Sequence, residues 1–423
     1  MKRNLSLAAV SLLALSSTVP MEAGPVGIVP GRLLVKPKAG ASVAEAVRPF
    51  NGQEVGAIPG IGVSVVKIPD HALQHALQGL SRNPNIEFAE PDFILEPDAT
   101  PNDPYFPSSW HLSKIGAPTA WDTTQGSTGV TIAILDTGVD GSHPDLASKL
   151  VAGWNTYDNN SNTSDVHGHG TQVAGTAAAL SNNGLGVAGV SWNSPIMPIR
   201  ISDLSGYGYY STIAAGLNWA ADRGAKVANI SFAVTSSSTV QTAAKYFQSK
   251  GGVVTVAAGN SALFDSSSDT PYIITVSATT SSDTLASWSN TGNNIDVAAP
   301  GVGIYSTARG GGYASVSGTS FSAPLTAGVA ALVMSAQTGL SPAQVTQVLK
   351  DSAQDLGAIG FDTSFGWGRV NAAGAVALAT TFQGTGPAPE EPAPTPPPVD
   401  DTAPQITITS PTSATSRLAA NES

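Results

Sequence analysis

Three residues at three junctions of the chain have the types needed to act together on an acyl group. Asp136 ends an apolar run in Leu135-Asp136-Thr137-Gly138, His169 lies in Gly168-His169-Gly170-Thr171, and Ser320 lies in Gly318-Thr319-Ser320-Phe321. A serine hydroxyl is a poor nucleophile unless a base takes its proton, and an imidazole does so near neutral pH. A carboxylate behind the imidazole fixes its tautomer and stabilises its charged form. Acyl transfer also places negative charge on the carbonyl oxygen, so hydrogen-bond donors must already face that point. Asn260, in Ala257-Ala258-Gly259-Asn260, is the side-chain candidate, with the backbone N–H of Ser320 as the second donor.

Competing chemistries fit less well. His167 lies two residues before His169 but lacks the Gly-Thr-x-Val-Ala-Gly that follows His169. A zinc site from His143, His167 and His169 would want an acidic general base or HExxH spacing, and neither accompanies them. The G-x-S-x-G elbow of α/β-hydrolases fails at Ser320, where its fifth position is Ser322. With no cysteine there is no thiolate nucleophile and no disulfide framework. The net charge of -11, with no basic cluster longer than Lys2-Arg3, argues against nucleic acid as a partner.

The elements that must hold these residues can be read from periodicity. Between about 101 and 381, β-branched runs such as Val130–Leu135, Val253–Val256 and Ile273–Val276 alternate with helical stretches at 171–180, 211–223, 240–249 and 323–337. Strands buried on both faces and separated by helices imply a mainly parallel α/β sheet, with the site at the carboxyl ends of its strands. Residues 28–97 read as a smaller unit: strands at 31–36, 63–68 and 86–95, a helix at 42–50, and a helix capped by Asp70 that carries Leu73, Ala76, Leu77 and Leu80. Alternation of this kind suggests a split βαβ sandwich. At the front, Lys2-Arg3 and the apolar run Leu5–Leu15 read as a signal peptide cut near Ala23. The expected domains are therefore a signal peptide at 1–23, an α+β unit at 24–98 and the α/β domain at 99–382. A Pro-rich linker at 383–404 and the start of a truncated β-rich, Ig-like module at 405–423 complete the chain.

The four blocks around Asp136, His169, Asn260 and Ser320 resemble the subtilisin-like serine peptidases, the thermitase-like ones included, over roughly residues 101–375. The resemblance implies a subtilisin-like α/β fold preceded by a small ferredoxin-like propeptide. It further implies a secreted serine endopeptidase made as an autoprocessed precursor, acting through an acyl-enzyme. The strand Ala89–Phe93 matches the inhibitory tail of such a propeptide, with maturation between Leu95 and Pro101. Substrate would lie as an extended strand between Ser205-Gly206-Tyr207 and Ser231-Phe232-Ala233, with Gly259 beside it and Tyr210 and Ile213 flanking an apolar pocket. The family pattern usually has two glycines where this chain has Ala233-Val234, so small or medium apolar side chains are expected before the scissile bond. A structural Ca²⁺ would be held by Asp103, Asp145 and Asn183 with carbonyls of Ser181, Leu185 and Val187, all of them oxygen donors. Asp158 and Asn160 are candidates for a second, weaker cation site. Expected partners are protein or peptide substrates and the propeptide itself, with neither nucleic acid nor membrane, and the enzyme is expected to be a monomer. The alternative is a catalytically silent scaffold of the same fold used for binding.

Overall fold

The computed structural model describes residues 27–94 and 100–382. The chain divides after Gln383 into two units, and only the first holds described residues. The expected signal peptide, the junction at 95–99, the Pro-rich linker and the C-terminal strand lie outside them.

The N-terminal region runs β1 (Gly27–Pro37), α1 (Val43–Val47), β2 (Gln53–Ile58), β3 (Val63–Lys67), α2 (Leu73–Ser81) and β4 (Ile86–Ile94). Its sheet has the order β2-β3-β1-β4 with antiparallel pairings, the arrangement of a ferredoxin-like sandwich. Leu33 and Val35 of β1, Val66 of β3, and Ala76 and Leu80 of α2 are its fully buried centre. Three local expectations need correction. The helix anticipated over 42–50 is a single α turn continued by a 3₁₀ turn at Arg48–Phe50, because Pro49 has no N–H to extend the ladder. Asp70 sits inside a 3₁₀ turn and makes no side-chain cap. The strand β2 escaped notice because nearly all of it is exposed, so no apolar alternation marks it.

The larger region contains α3 (Trp110–Lys114), α4 (Ala117–Thr123), β5 (Ile132–Asp136), β6 (Trp154–Asn155), α5 (His169–Ala178), β7 (Ile196–Arg200), α6 (Tyr210–Asp222), β8 (Val227–Ile230), α7 (Ser238–Ser249) and β9 (Val253–Ala257). There follow β10 (Phe264–Asp265), β11 (Ile274–Thr279), β12 (Thr291–Gly292), β13 (Val297–Pro300), β14 (Ile304–Ala308), β15 (Gly312–Val316), α8 (Thr319–Ala336), α9 (Pro342–Asp351) and α10 (Ala372–Thr381). Seven strands form one parallel sheet in the order β13-β11-β9-β8-β5-β7-β6. Every residue of β5, β7, β8, β9, β11 and β13 is buried, which is why these strands read as continuous apolar runs. One face packs against α4, α5, α8, α9 and α10, the other against α6 and α7. The central helix α8 is long and apolar enough to cross a bilayer by composition alone, yet 83% of it is buried inside the protein.

Candidate active site

Asp136 is the last residue of β5 and is fully buried, at the carboxyl edge of the sheet. Its Oδ1 accepts the N–H of Thr137 at 2.7 Å and faces His169 Nδ1 at 2.8 Å. A carboxylate at Nδ1 holds the proton on that nitrogen and leaves Nε2 free to act as a base. The helix carrying His169 can come this close to β5 because residue 170 has no side chain. A Cβ on Gly170 would lie 2.1 Å from the carbonyl oxygen of Gly138. The imidazole is 24% exposed and sits between the rings of Phe232 and Phe321, at 6.3 and 5.8 Å. Burial pulls its pKa down, but the charge and hydrogen bond of Asp136, with the charge of Asp165 added, outweigh that. The net shift is upward from the ordinary 6.5.

Ser320 lies in the first turn of α8, where its Oγ makes a long 3.3 Å hydrogen bond to the Ser231 carbonyl. The hydroxyl therefore rests on the cleft wall in this conformation. Pro324 stands four residues on and offers no N–H to the Ser320 carbonyl. That carbonyl instead accepts the Ser231 hydroxyl at 2.9 Å, and Asn229 Nδ2 supports Ser231 Oγ at 2.9 Å. A proline inside the nucleophile's helix is thus tolerated, and it ties Ser320 to β8.

The amide of Asn260 is oriented by its neighbours. Its Oδ1 accepts both the N–H and the Oγ1 hydroxyl of Thr319, at 2.9 and 2.8 Å. Thr319 Oγ1 in turn accepts the N–H of Gly259 at 3.0 Å. With the oxygen committed, Nδ2 is the group left to donate into the cleft. The point where a Cβ on Gly318 would stand is 3.5 Å from Asn260 Nδ2 and 3.6 Å from the Ser320 nitrogen, so both expected donors flank one open position. Gly259 has φ +107°, and a Cβ there would meet Asn290 Nδ2 at 2.4 Å. Asn290 ties down the loop after Asn260 by accepting the N–H groups of Ser261 and Leu263. Neither Thr319 nor Asn290 stood out in the sequence. Only its place between Gly318 and Ser320 could have pointed to Thr319.

The two expected rails approach one another, since a Cβ on Gly208 would stand 3.7 Å from the Phe232 ring. Ser205, Gly206 and Tyr207 form a tight turn in which Asp203 Oδ1 accepts the N–H groups of Ser205 and Tyr207, each at 2.9 Å. Tyr207 and Tyr210 are exposed, whereas Ile213 is buried in the α6–α7 core. On the second rail Ser231 is buried and Phe232 half-buried, and the Ala233 Cβ faces Gly259 across 3.4 Å from the point its Cβ would occupy.

Residues 127–368, more than half of the chain, match the Subtilase family. The chain belongs to the subtilase family. This subtilase is a serine endopeptidase, and its residues 16–92 match the fervidolysin N-terminal prodomain, so it is a protease made with a prodomain. Among its relatives are the thermophilic serine proteinase of Bacillus sp. strain AK1, 40% identical over 72% of this chain and 76% of the other. Thermitase of Thermoactinomyces vulgaris is 44% identical over 66% of this chain and 99% of its own. A solved protease structure from Pseudoalteromonas arctica superposes with a TM-score of 0.60 at 34% identity, covering 66% of this chain and all of that one.

In this subtilase Asp103, Asp145 and Asn183 are brought together from three parts of the chain, although the Asn183 amide oxygen accepts the N–H of Leu185. Asp103 Oδ2 accepts the N–H of Asn182 at 2.6 Å, while its Oδ1 is buried without a partner. Asp145 accepts Asn183 Nδ2 at 3.0 Å and the N–H of Val187 at 3.1 Å. Burial raises the pKa of Asp103, and the charge of Asp145 adds to that rise. An orphaned buried oxygen beside a second carboxylate fits a missing positive charge. Among the described residues no three His, Asp or Glu side chains cluster, so such a site would draw on two carboxylates with amide and carbonyl oxygens. The other candidates are differently engaged. Asp158 is paired with Arg200 at 3.1 Å and with the Asn155 amide. His143 uses Nε2 on the Gly312 carbonyl and Nδ1 on the N–H of Asp145, which leaves neither nitrogen for zinc.

Proposed function

We propose that this subtilase hydrolyses peptide bonds in proteins through Asp136, His169 and Ser320, with Asn260 Nδ2 and the Ser320 N–H as the oxyanion donors. The reading rests on the half-buried His169 held by the buried Asp136 at the carboxyl edge of the sheet, and on the two donors that flank Gly318. His169 Nε2 takes the proton from Ser320 Oγ as that oxygen attacks the scissile carbonyl, and the imidazolium is held by Asp136. It then protonates the leaving amine, and water repeats the sequence to release the acid. For this the Ser320 hydroxyl turns from Ser231 towards the imidazole, a rotation about one bond.

The proposal extends to the life of the chain. Residues 1–23 direct export, residues 24–98 inhibit and assist folding, and the enzyme cuts itself between Leu95 and Pro101 before acting outside the cell as a monomer. The linker at 383–404 and the strand beyond it belong to a further module. A Ca²⁺ held by Asp103, Asp145, Asn183 and the carbonyls of Ser181, Leu185 and Val187 would neutralise the two buried carboxylates and tie the start of the mature domain to its body. Substrate lies between Ser205-Gly206-Tyr207 and Ser231-Phe232-Ala233, with Gly259, Tyr210 and Ile213 shaping the pockets. Purified protein is expected to digest casein and to cleave a peptide amide as well as a simple ester. A silent scaffold would cleave neither, and a non-peptidase hydrolase would cleave only the ester.

A further inference from the structure

One buried carboxylate near the imidazole has no part in the chemistry above. Asp165, only 7% exposed, ends five hydrogen bonds. Its Oδ1 accepts Thr137 Oγ1 at 2.8 Å, the N–H of Gly168 at 2.7 Å and the N–H of His167 at 3.0 Å. Its Oδ2 accepts the N–H and the Oγ1 hydroxyl of Thr171, at 2.9 and 2.5 Å. None of these donors is a cation, so the charge is held by neutral groups alone.

What these donors have in common is their place. The helix α5 begins at His169, and its N-cap residue, Gly168, has no side chain with which to cap it. Asp165 does that work from three residues upstream, since Gly168 and Thr171 supply N–H groups from the open end of the helix. A negative charge there also suits the helix dipole. The fifth bond leads elsewhere. Thr137 follows Asp136 directly, gives its hydroxyl proton to Asp165, and accepts the N–H of Gly170 at 2.9 Å. One carboxylate therefore fastens the residue before and the residue after His169 to the residue after Asp136.

We propose that Asp165 is a positioning residue for the Asp136–His169 pair, acting as the cap of α5 and, through Thr137, as the link that fixes α5 against the end of β5. The inference rests on the triad reading given above. The groups around the imidazole are Asp136 on β5, Asp165 and the exposed His167 in the loop before α5, and Arg309 on the β14–β15 hairpin beside Gly168. The Ser231–Ala233 segment and α8 present the uncharged rings of Phe232 and Phe321. The charge of Asp165 contributes to the upward pull on His169.

Asp165→Asn keeps the shape but replaces one acceptor by an N–H₂ group facing donors, and it removes the charge. The test uses mature enzyme, released in trans by wild-type protease where a variant does not process itself, with Ser320→Ala as the parallel control. Asp165→Asn is expected to lower kcat by about 10–100-fold with KM within about twofold, as a small displacement of a catalytic base does. The acid limb of its kcat/KM profile moves to lower pH. The His169 ring titration, followed by NMR in a Ser320→Ala background, moves the same way. Thr137→Val keeps the charge and removes only the link, so kcat falls while the acid limb stays. A Thr137→Val enzyme with wild-type kcat overturns the proposal, whether or not the Asp165 variant folds. So does an Asp165→Asn enzyme whose loss matches its unfolded fraction while its acid limb is unmoved. Hydrolysis surviving in Ser320→Ala would instead remove the triad reading itself.

Discussion

The two sheets of this subtilase are built on opposite plans. The catalytic sheet is parallel and lies between two helical layers, and nearly every residue of its inner strands is dry. The prodomain sheet is antiparallel with helices on one face, and β2 along its edge is almost entirely exposed. Its core is a single small cluster around Leu33, Val35, Val66 and Leu80. Burial on both faces packs the strand of the catalytic region that ends in Asp136 on every side. It also makes that region rich in long-range pairings and therefore slow to fold. The prodomain is small, pairs its first strand with its last, and has little apolar area to spare. The chain thus joins a small region with a modest core to a larger one whose inner strands are buried throughout.

That contrast can be broken or sharpened by experiment. The largest effect is expected from Ser320→Ala, which should lower kcat on a peptide substrate by about 10⁶, the loss known for this replacement in subtilisin. Both sheets should then remain in one uncut chain on a gel. A precursor that still matures unaided would show that an outside protease separates them. The same uncut variant allows calorimetry without autolysis. A chelator should lower the stability of the catalytic region alone, and with it the midpoint, by about 4 kcal/mol when the wild type is held at a thousandfold excess of Ca²⁺ over its Kd. Asp145→Ala should melt low from the start and ignore the chelator. An unchanged wild-type midpoint after proven removal of calcium would mean that the loop around Asn183 is held to Asp103 and Asp145 by hydrogen bonds alone.

Asn260→Leu should come next, lowering kcat by about 10²–10³ with KM nearly constant, the loss of one such donor in subtilisin. A change confined to KM would make Asn260 a substrate-binding group. The smallest effect tests the prodomain. Leu33→Ala in its buried centre should cost about 2 kcal/mol, at the low end for such truncations because the small sheet can relax around the gap. The yield of mature enzyme should fall, while the enzyme that does mature keeps wild-type kcat and Tm. A lowered Tm in that purified enzyme would show that the prodomain leaves a lasting mark on the catalytic fold.

Much of this was legible before any coordinates. The Asp, His and Ser blocks each sit at a junction of strand or loop with helix, and their residue types leave few chemistries open. The parallel sheet was visible because strands buried on both faces must be apolar throughout. The elements that went unread were those without such a pattern, such as β2 on its exposed edge or β8, where Asn229 lies fully buried within the strand.

Residue types and short stretches of neighbours were enough to determine the family and to single out the proposed reacting groups in their order. Tertiary structure alone decided how those groups are held. Thr319 fixes the Asn260 amide across 59 residues, Ser231 meets the Ser320 carbonyl across 89, and Asp165 reaches Thr137 across 28. Each of these bonds is made by ordinary Ser, Thr, Asp or Asn side chains, one of them to a backbone carbonyl, of types that recur throughout the chain without periodicity. Only the packing of α5 and α8 against the ends of β5 and β8 selects which of them meet.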